Sequence, residues 1–364
     1  MIFLLILGAA QALMLFFLLL GKKPIRMPDY ILSGYLLLSA LIILFAYFEI
    51  WNRNSGYPYP WLINISTPFI LLIGPVIWLY VKSLTEQYFR FKPVYLLLLA
   101  PFLLVLTMLM AGNYLKPDDA KIIVEQSEQF KNQPSFFVII ALIAMSNLGY
   151  TFWGLVLIGR YRKKLKTYFS KTDTINLAWL RFLLLSAFIC YASISLLYFI
   201  DAFFNLMSYH TLQLAGFGIA SVFVLVLGFF GIRQGDVFTS LPKKFDMDGA
   251  LSTSLSNKKV EKGDEKFVHN LLSYMRDSKP YQNPDITIAS LAGELKVSPE
   301  YLSGIINGQL NLNYFDFINH FRIEEFKAMC KNPKNRNLTL ISLAYDCGFS
   351  SISAPVAKIP VASK

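Results

Sequence analysis

Cysteine and histidine are scarce in this sequence, which has three of each in 364 residues. Cys190 lies in an apolar run, whereas Cys330 and Cys347 lie near the C-terminus, and no CxxC pair or cysteine–histidine cluster occurs. The sequence therefore supports neither a disulfide framework nor a zinc site. We expect three reduced, buried thiols.

Catalytic motifs are also missing. The sequence contains no HExxH, GxSxG, P-loop or GxGxxG pattern, and His210, His269 and His320 are far apart along the chain. Such patterns hold nucleophiles, metal ligands or phosphate-binding glycines at fixed spacings, so their absence argues against the common hydrolases and nucleotide-binding enzymes. We expect a protein that is not an enzyme and that binds no cofactor or metal ion.

Acidic residues are outnumbered, with 23 Asp and Glu against 34 Lys and Arg and a net charge of +11. The excess is uneven, because residues 1–233 have 18 basic and 9 acidic side chains, whereas residues 234–364 have 16 and 14. A basic surface can attract nucleic acid. Here the net charge is +9 in the more apolar part and +2 in the rest, so the charge alone does not indicate DNA binding.

Long apolar runs are abundant: 55% of the residues are hydrophobic and the mean hydropathy is +0.47. Seven runs are long enough for a helix to cross the roughly 30 Å hydrocarbon core of a bilayer. They are residues 2–20, 30–50, 61–81, 94–111, 136–159, 182–204 and 211–232. The first run has no basic segment before it, which favours a retained helix over a signal peptide. We expect an all-α protein with a seven-helix transmembrane bundle in residues 1–233.

Basic side chains cluster in alternate loops between these runs, at residues 22–26, 82–92 and 160–171. Short loops rich in Lys and Arg stay in the cytoplasm. The pattern therefore predicts an N-terminus outside and a C-terminal domain in the cytoplasm. The expected location is the bacterial inner membrane, where lipid surrounds the spans.

Two carboxylates, Glu49 and Asp201, lie inside predicted spans. Ionisable residues inside a span are costly and are candidates for function. Both lie near the predicted outer ends of their helices, where we expect water to reach them. They are either interfacial carboxylates or part of an outward-facing sensor pocket, with Asn64 and Tyr198, for an unknown signal ligand.

The composition changes abruptly after Arg233. Residues 234–263 are rich in Gly, Ser, Lys and Asp and have no apolar periodicity, which predicts a cytoplasmic linker. A helix is expected from about Asp264, where the C-terminal domain, residues 264–364, begins. Its predicted apolar face consists of Phe267, Leu271, Leu272 and Met275.

The stretch "SLAGELKVSPEYLSGIIN", residues 290–307, predicts two short helices joined by a tight turn at Lys296 and Val297. Ser298 suits an N-cap and Pro299 suits the first helical position, so the second helix should begin there. The expected inner face consists of Ile288, Leu291, Ala292 and Leu295 in the first helix and Leu302, Ile305 and Ile306 in the second. A long helix should follow, with its core side formed by Phe315, Ile318, Phe321, Ile323 and Phe326.

Three ordered stretches, "SLAGELKVSPEYLSGIIN", "NYFDFINHFRIEEFKAM" and "LTLISLAYDCGFSS", together resemble the AraC/XylS family of transcription regulators. The whole layout resembles Bacteroidetes-type regulators that join a multi-span membrane domain to such a domain. The resemblance implies two helix-turn-helix units on one long helix, each inserting a recognition helix into promoter DNA, with a homodimer as one expected state. The resemblance implies that Glu300, Ser303 and Gly304 occupy positions from which the first recognition helix reads bases, and Arg322 lies in the motif "FRIEE" of the linking helix. We also expect Ser298, Tyr301 and Asn307, at the start and on the outer face of the second short helix, to contact DNA. Gly304 departs from the long basic side chain that is frequent at its position.

The second unit of this pair is incomplete. Residues 338–349 supply its first helix and a glycine turn, but the chain then continues as "SSISAPVAKIPVASK". Pro355 and Pro360 would interrupt the expected recognition helix, so we expect this second unit to be missing or unfolded. An altered reading frame at the 3′ end of the gene and a genuine short tail are the two explanations.

Two functions from different classes fit these patterns. One is a membrane-anchored one-component transcription regulator, in which a membrane sensor controls sequence-specific DNA binding. The other is a membrane receptor that signals through protein contacts with a degenerate helix-turn-helix module. A transporter is less well supported, because Gly74 and Pro75 are the closest approach to a broken span and a simple helix kink explains them.

Overall fold

The computed structural model describes residues 2–86, 89–170, 177–233 and 264–349. Within these residues every regular element is a helix, and the only strand-like pairing is an isolated bridge between Phe169 and Thr287, so the predicted all-α class is confirmed. The chain forms two compact units. We call them the membrane unit (Met1–Gly159 and Ala178–Lys243) and the C-terminal unit (Arg160–Leu177 and Lys244–Lys364). The predicted linker, residues 234–263, lies outside the described residues, and the predicted domain boundaries stay predictions.

Seven of the eight α-helices described for the membrane unit lie on the predicted apolar runs, and the eighth, α5, lies in the predicted loop between the fourth and fifth runs. They are α1 (Ile2–Leu20), α2 (Met27–Asn54), α3 (Thr67–Thr85), α4 (Ala100–Leu109), α5 (Asp118–Ser127), α6 (Pro134–Tyr168), α7 (Ala178–Phe204) and α8 (Tyr209–Arg233). Seven helical stretches of the described residues are long and apolar enough to span a membrane: Ile2–Leu20, Met27–Asn54, Pro60–Thr85, Pro93–Tyr114, Pro134–Tyr168, Ala178–Phe204 and Tyr209–Leu227. They confirm the prediction of a multi-pass membrane protein.

Two of the seven spans are not single α-helices. The third begins with a 3-10 turn, Pro60–Leu62, and continues as α3 only from Thr67. The fourth consists of a 3-10 helix, Pro93–Leu99, then α4, then a π-helical turn, Met110–Tyr114. Asn64, between the two parts of the third span, has a positive φ of 62°, a conformation that asparagine tolerates better than most residues.

Helix α3 continues through Pro75, because side chains of α6 form hydrogen bonds with the backbone groups next to this proline. Proline has no N–H, so the Leu71 carbonyl has no partner inside α3. The Ser146 hydroxyl donates to this carbonyl at 3.1 Å, and Asn147 Oδ1 accepts the Gly74 N–H at 3.1 Å. A Cβ at position 74 would lie 2.7 Å from the Ser146 carbonyl oxygen, so this close approach requires glycine.

In residues 264–349 the C-terminal unit contains five further α-helices. They are α9 (Asp264–Asp277), α10 (Ile288–Glu294), α11 (Pro299–Gly308), α12 (Tyr314–Lys331) and α13 (Leu340–Asp346). The predicted start and apolar face of α9 are confirmed, since Leu271 and Met275 are fully buried and Phe267 and Leu272 pack against the core. The buried core consists of these two residues with Tyr281, Ile286, Ile288, Leu291, Ala292, Leu302, Ile305, Ile306, Tyr314, Phe317 and Ile318.

The core side of α12 differs from the prediction. Tyr314 and Phe317 are buried in the core, whereas Phe315 is only half-buried, with the Lys166 ammonium 5.2 Å from the centre of its ring. The sequence places aromatic residues on both sides of the first turn, so composition did not distinguish the two faces. The predicted assignment of Phe315 to the core face was therefore wrong, whereas that of Ile318 and Phe326 is confirmed.

The first helix and the glycine turn that the sequence predicts for the second helix-turn-helix are present. Leu343 and Ala344 of α13 and the following Cys347 and Phe349 form a small cluster with Phe326. Gly348 has a φ of +88°. A Cβ there would lie 2.4 Å from the Tyr281 carbonyl oxygen, so this turn tolerates only glycine. The predicted interruptions at Pro355 and Pro360 lie outside the described residues.

The three thiols do not share one environment. Cys190 and Cys347 are buried, as predicted, but Cys330 is exposed near the end of α12. The prediction of three buried thiols was therefore wrong for Cys330.

Candidate functional site

Six of the seven residues predicted to contact DNA lie at the start of α11 or on it. We call α10, the turn at residues 295–298 and α11 the helix pair. Thr287 caps α10, because its Oγ1 accepts the Ser290 N–H at 3.2 Å while Ser290 Oγ accepts the Thr287 N–H at 3.0 Å. In the turn, Lys296 has a φ of 55°, and the Val297 N–H donates to the Ala292 carbonyl at 3.0 Å. The predicted turn is confirmed.

Helix α11 begins where the sequence predicts. Ser298 is the N-cap, its Oγ accepts the Tyr301 N–H at 3.2 Å, and Pro299 occupies the first helical position. The predicted inner face is also confirmed, and its buried members are Leu302, Ile305 and Ile306. Because these three side chains are buried in the core, the opposite face of α11 points away from the core.

The outer face of α11 is polar and open. Tyr301, Gly304 and Asn307 are exposed, and Ser303 is half-buried and accepts a hydrogen bond from Asn307 Nδ2 at 3.1 Å. A Cβ at position 304 would meet no atom within 4 Å. This face can offer hydroxyl, amide and aromatic groups to base edges or phosphates.

Glu300 is partly withdrawn from this face. The residue is half-buried, and within the described residues its Oε1 is buried without a hydrogen-bond partner. Tyr168, at the end of α6, packs against the buried core of the C-terminal unit. This unit therefore includes a segment from the middle of the chain.

Arg322 lies inside the C-terminal unit rather than on its surface. Its side chain is 2% exposed, its Nε donates to the Tyr281 carbonyl at 2.7 Å, and its Nη2 donates to the Asn283 carbonyl at 2.8 Å. Burial lowers the pKa of the guanidinium to about 10, which leaves it charged at neutral pH. In this structure Arg322 holds α12 to the segment before α10, and it does not belong to the open face of α11.

The two predicted carboxylates of the membrane unit are buried, so the expectation that water reaches them was wrong. Glu49 is 4% exposed. It accepts the Ser66 N–H at 2.6 Å and a hydrogen bond from the Gln213 side chain, which in turn accepts from Arg53 at 3.1 Å. Arg53 also pairs with Glu125. Glu49 is thus one member of a buried network in which its carboxylate accepts two hydrogen bonds from neutral groups and Arg53 forms the ion pair with Glu125.

Asp201 is 2% exposed and forms a separate ion pair. Lys131 Nζ lies 2.7 Å from Asp201 Oδ2, and Asp201 Oδ1 accepts the Met207 N–H at 2.8 Å. Lys131 is itself buried and also donates to Asn205 Oδ1 at 2.8 Å and to the Met207 carbonyl at 2.7 Å. The pair therefore fixes the turn between α7 and α8 to the segment before α6.

A cavity of about 280 Å³ lies within the membrane unit. Its walls are mainly isoleucine and aromatic side chains, and its polar groups include Asn64, Tyr198 and Gln213. Glu49 and Asp201 are not among its lining residues. Of the four residues predicted to form a sensor pocket, the structure thus brings Asn64 and Tyr198 to one cavity, while Glu49 is linked to that cavity through Gln213. Its volume is near the lower end of the range for small-molecule sites.

Asn64 is held at this cavity by two tyrosines. The Tyr114 hydroxyl donates to the Asn64 carbonyl at 2.8 Å, and the Tyr209 hydroxyl donates to Asn64 Oδ1 at 3.2 Å. Tyr198 packs on Gly216, where a Cβ would lie 3.2 Å from the tyrosine ring. Both side chains are therefore placed by neighbours that the sequence pattern did not identify.

Sequence reasoning missed Arg53, Glu125, Lys131 and Gln213 as members of these networks. The available signal was the mixture of acidic and basic residues in loops where the charge pattern predicted few cations. Charges that oppose the loop pattern are candidates for internal ion pairs.

Comparisons with protein-family models, with curated proteins and with solved structures found no match to this chain.

Proposed function

We propose that this protein is a membrane-anchored one-component transcription regulator that binds promoter DNA through an AraC-type helix-turn-helix. The main support is the helix pair, whose capped second helix presents a polar, open face, on a chain that is otherwise a multi-pass membrane protein. A helix of this kind fits the major groove of B-DNA, where each base pair presents a distinct set of hydrogen-bonding groups. Ser298, Tyr301, Ser303 and Asn307 are the proposed contacts, with Glu300 at the edge of the surface.

The cavity of the membrane unit is the proposed sensor site. Its lining combines isoleucine and aromatic side chains with polar groups and the charged Lys116, Lys121 and Glu125, which suits a small ligand with an apolar body and a polar group. A ligand regulates DNA binding only if it binds one of two states of the protein more tightly. We propose that it changes the position or pairing of C-terminal units in a homodimer, since two copies would present two recognition helices to neighbouring half-sites.

The proposed location is the bacterial inner membrane, with the C-terminal unit in the cytoplasm, and Cys330 offers a direct test of this orientation. We expect a membrane-impermeant maleimide to label lysed membranes but not intact spheroplasts. Cys330 is the exposed thiol, whereas Cys347 is buried and burial raises its pKa to about 12, which suppresses the reactive thiolate. The Cys330→Ser variant should lose the label. Labelling of intact spheroplasts at Cys330 would place this unit outside and contradict DNA binding.

Ser298 allows the structural and DNA-binding roles of α11 to be separated. Ser298→Ala should destabilise the C-terminal unit by about 1 kcal/mol, because the N-cap acceptor is lost. Ser298→Asp retains an acceptor and adds a charge that is favourable at a helix N-terminus, so stability should be kept. The same charge would repel phosphate, and we expect DNA affinity to fall about tenfold, the equivalent of about 1.4 kcal/mol.

Chromosomal crosslinking of the full-length protein measures the consequence in cells. Wild type should enrich a small number of sites, and Ser298→Asp should lose most of this enrichment at unchanged protein level. If Ser298→Asp enriched the same sites as fully as wild type, the start of α11 would not be part of the DNA interface. Flat enrichment by wild type, together with a stable protein partner that resists DNase, would favour the receptor that signals through protein contacts.

A further inference from the structure

The end of α6 is a structural part of the C-terminal unit. Phe169 forms the isolated bridge to Thr287, and the Ser170 hydroxyl donates to the Ile286 carbonyl at 2.7 Å. Phe169 is buried, and Tyr168 packs against the core of the unit. We call residues 168–170 the anchor segment. It attaches to the two residues immediately before α10, and so to the base of the helix pair.

This attachment changes the charge of the unit. Within this unit, residues 244–364 have 15 Lys and Arg and 13 Asp and Glu, a net charge of +2. Residues 160–177 add six basic residues and one acidic residue, which makes the net charge of the unit +7, and five of these six basic residues lie in residues 160–166. These five are Arg160, Arg162, Lys163, Lys164 and Lys166. We call residues 160–166 the basic end of α6.

These cations are available to an external partner. Arg160, Lys163, Lys164 and Lys166 are exposed, and none forms an ion pair with a residue in the described part of the chain. Residues 160, 163 and 164 are spaced at i, i+3 and i+4, so they share one face of the helix. A cluster of unpaired cations attracts an anionic polymer more strongly than a neutral surface does.

The position of this cluster relates it to the helix pair. The Lys166 ammonium lies 5.2 Å from the ring centre of Phe315, in the first turn of α12. The Ser170 hydroxyl, four residues further, donates to the Ile286 carbonyl, two residues before α10. The basic end of α6 is therefore connected to the unit beside the first turn of α12 and the start of α10.

We propose that the basic end of α6 is part of the DNA-binding surface and contacts backbone phosphates beside the site that α11 occupies. This inference rests on the proposed function, because it assigns the electrostatic part of the same binding reaction. Phosphate contacts from Lys and Arg supply most of the sequence-independent affinity for DNA, and residues 244–364 have a net charge of only +2, against +5 for residues 160–177. The segment between two membrane spans thus completes the DNA-binding unit.

The test is the salt dependence of DNA binding by full-length protein in nanodiscs of phosphatidylcholine. The test variant combines Arg160→Gln, Lys163→Gln, Lys164→Gln and Lys166→Gln, since glutamine keeps a similar helix propensity. The control removes four exposed cations of other loops through Lys23→Gln, Arg26→Gln, Arg90→Gln and Lys92→Gln. Each protein is titrated with a short random-sequence duplex between about 50 and 200 mM salt.

The slope of log affinity against log salt is negative, and we expect its magnitude to decrease by about 0.9 for each phosphate that the test variant no longer neutralises. The control should keep the wild-type slope, and both variants should keep the wild-type unfolding temperature. A test variant with the wild-type slope, or a control with an equal loss, would overturn the inference while leaving DNA binding intact. A wild type that binds no DNA would instead refute the proposed function and the inference together.

Anionic lipid is the competing partner for a basic loop next to a membrane span. Repeating the unfolding measurement in nanodiscs with phosphatidylserine distinguishes the two. If the test variant keeps the wild-type DNA slope but loses a stabilisation by phosphatidylserine seen in wild type, the cluster binds lipid headgroups and the inference is wrong.

Discussion

Lys131→Met should destabilise the membrane unit by about 3–5 kcal/mol, because Asp201 would remain as a buried charge without its partner. The two side chains are 4% and 2% exposed and their charged atoms are 2.7 Å apart. The variant also loses the hydrogen bonds from Lys131 to Asn205 and to the Met207 carbonyl. The thermal unfolding temperature of the purified protein in detergent measures the loss.

A double replacement distinguishes the ion pair from other roles of Lys131. The asparagine side chain that Asp201→Asn introduces can still accept the Met207 N–H, so Lys131→Met/Asp201→Asn should recover more than half of the loss. Lys116→Met is the matched control, since this half-buried lysine has no ion pair within the described residues. A Lys131→Met protein as stable as Lys116→Met would contradict the assigned ion pair.

Arg322→Met should open the C-terminal unit, because the carbonyls of Tyr281 and Asn283 would lose their donors. The Tyr281 bond is buried and the Asn283 bond is only partly buried, and a buried acceptor left without a partner costs about 1–3 kcal/mol. Hydrogen exchange in α12 of the full-length protein should accelerate accordingly, since opening of this unit becomes more frequent. Arg322→Lys should be intermediate, because an ammonium cannot reproduce the fork of donors that a guanidinium provides.

Lys327→Met is the control on the same helix. Its ion pair with Glu324 is half-exposed, and such pairs contribute about 0–1 kcal/mol. If Arg322→Met left hydrogen exchange in α12 at the rate of Lys327→Met, the internal role of Arg322 would be wrong. The proposed contact of Arg322 with DNA, which the resemblance implies, would then be the better explanation.

Local signals in the sequence predicted the elements well. The length of the apolar runs identified the seven spans, because a bilayer requires long apolar helices. Their ends were less predictable: α2 extends over Met27–Asn54 instead of residues 30–50, since polar residues continue a helix whose hydrogen bonds remain satisfied. Ser298 and Pro299 fixed the start of α11, because capping depends only on neighbouring residues.

Contacts between distant residues were not predictable in the same way. Arg322 bonds Tyr281, 41 residues earlier, and Ser170 bonds Ile286, 116 residues later. No periodicity in a single sequence reports such pairs, so the sequence predicted neither the internal role of Arg322 nor the attachment of residues 168–170 to the C-terminal unit. The burial of Glu49 and Asp201 has the same origin, since it depends on Gln213 and Lys131 from other segments.

Selection of chromosomal fragments by the purified full-length protein in nanodiscs tests most directly whether this membrane protein recognises DNA. Fragmented DNA of the source organism is incubated with wild type and with Ser298→Asp, and the retained fragments are sequenced. Wild type should retain a few fragments that share a short sequence, and Ser298→Asp should retain far less of them at equal stability. Uniform retention of all fragments by wild type, or no retention at low salt, would contradict sequence-specific DNA binding.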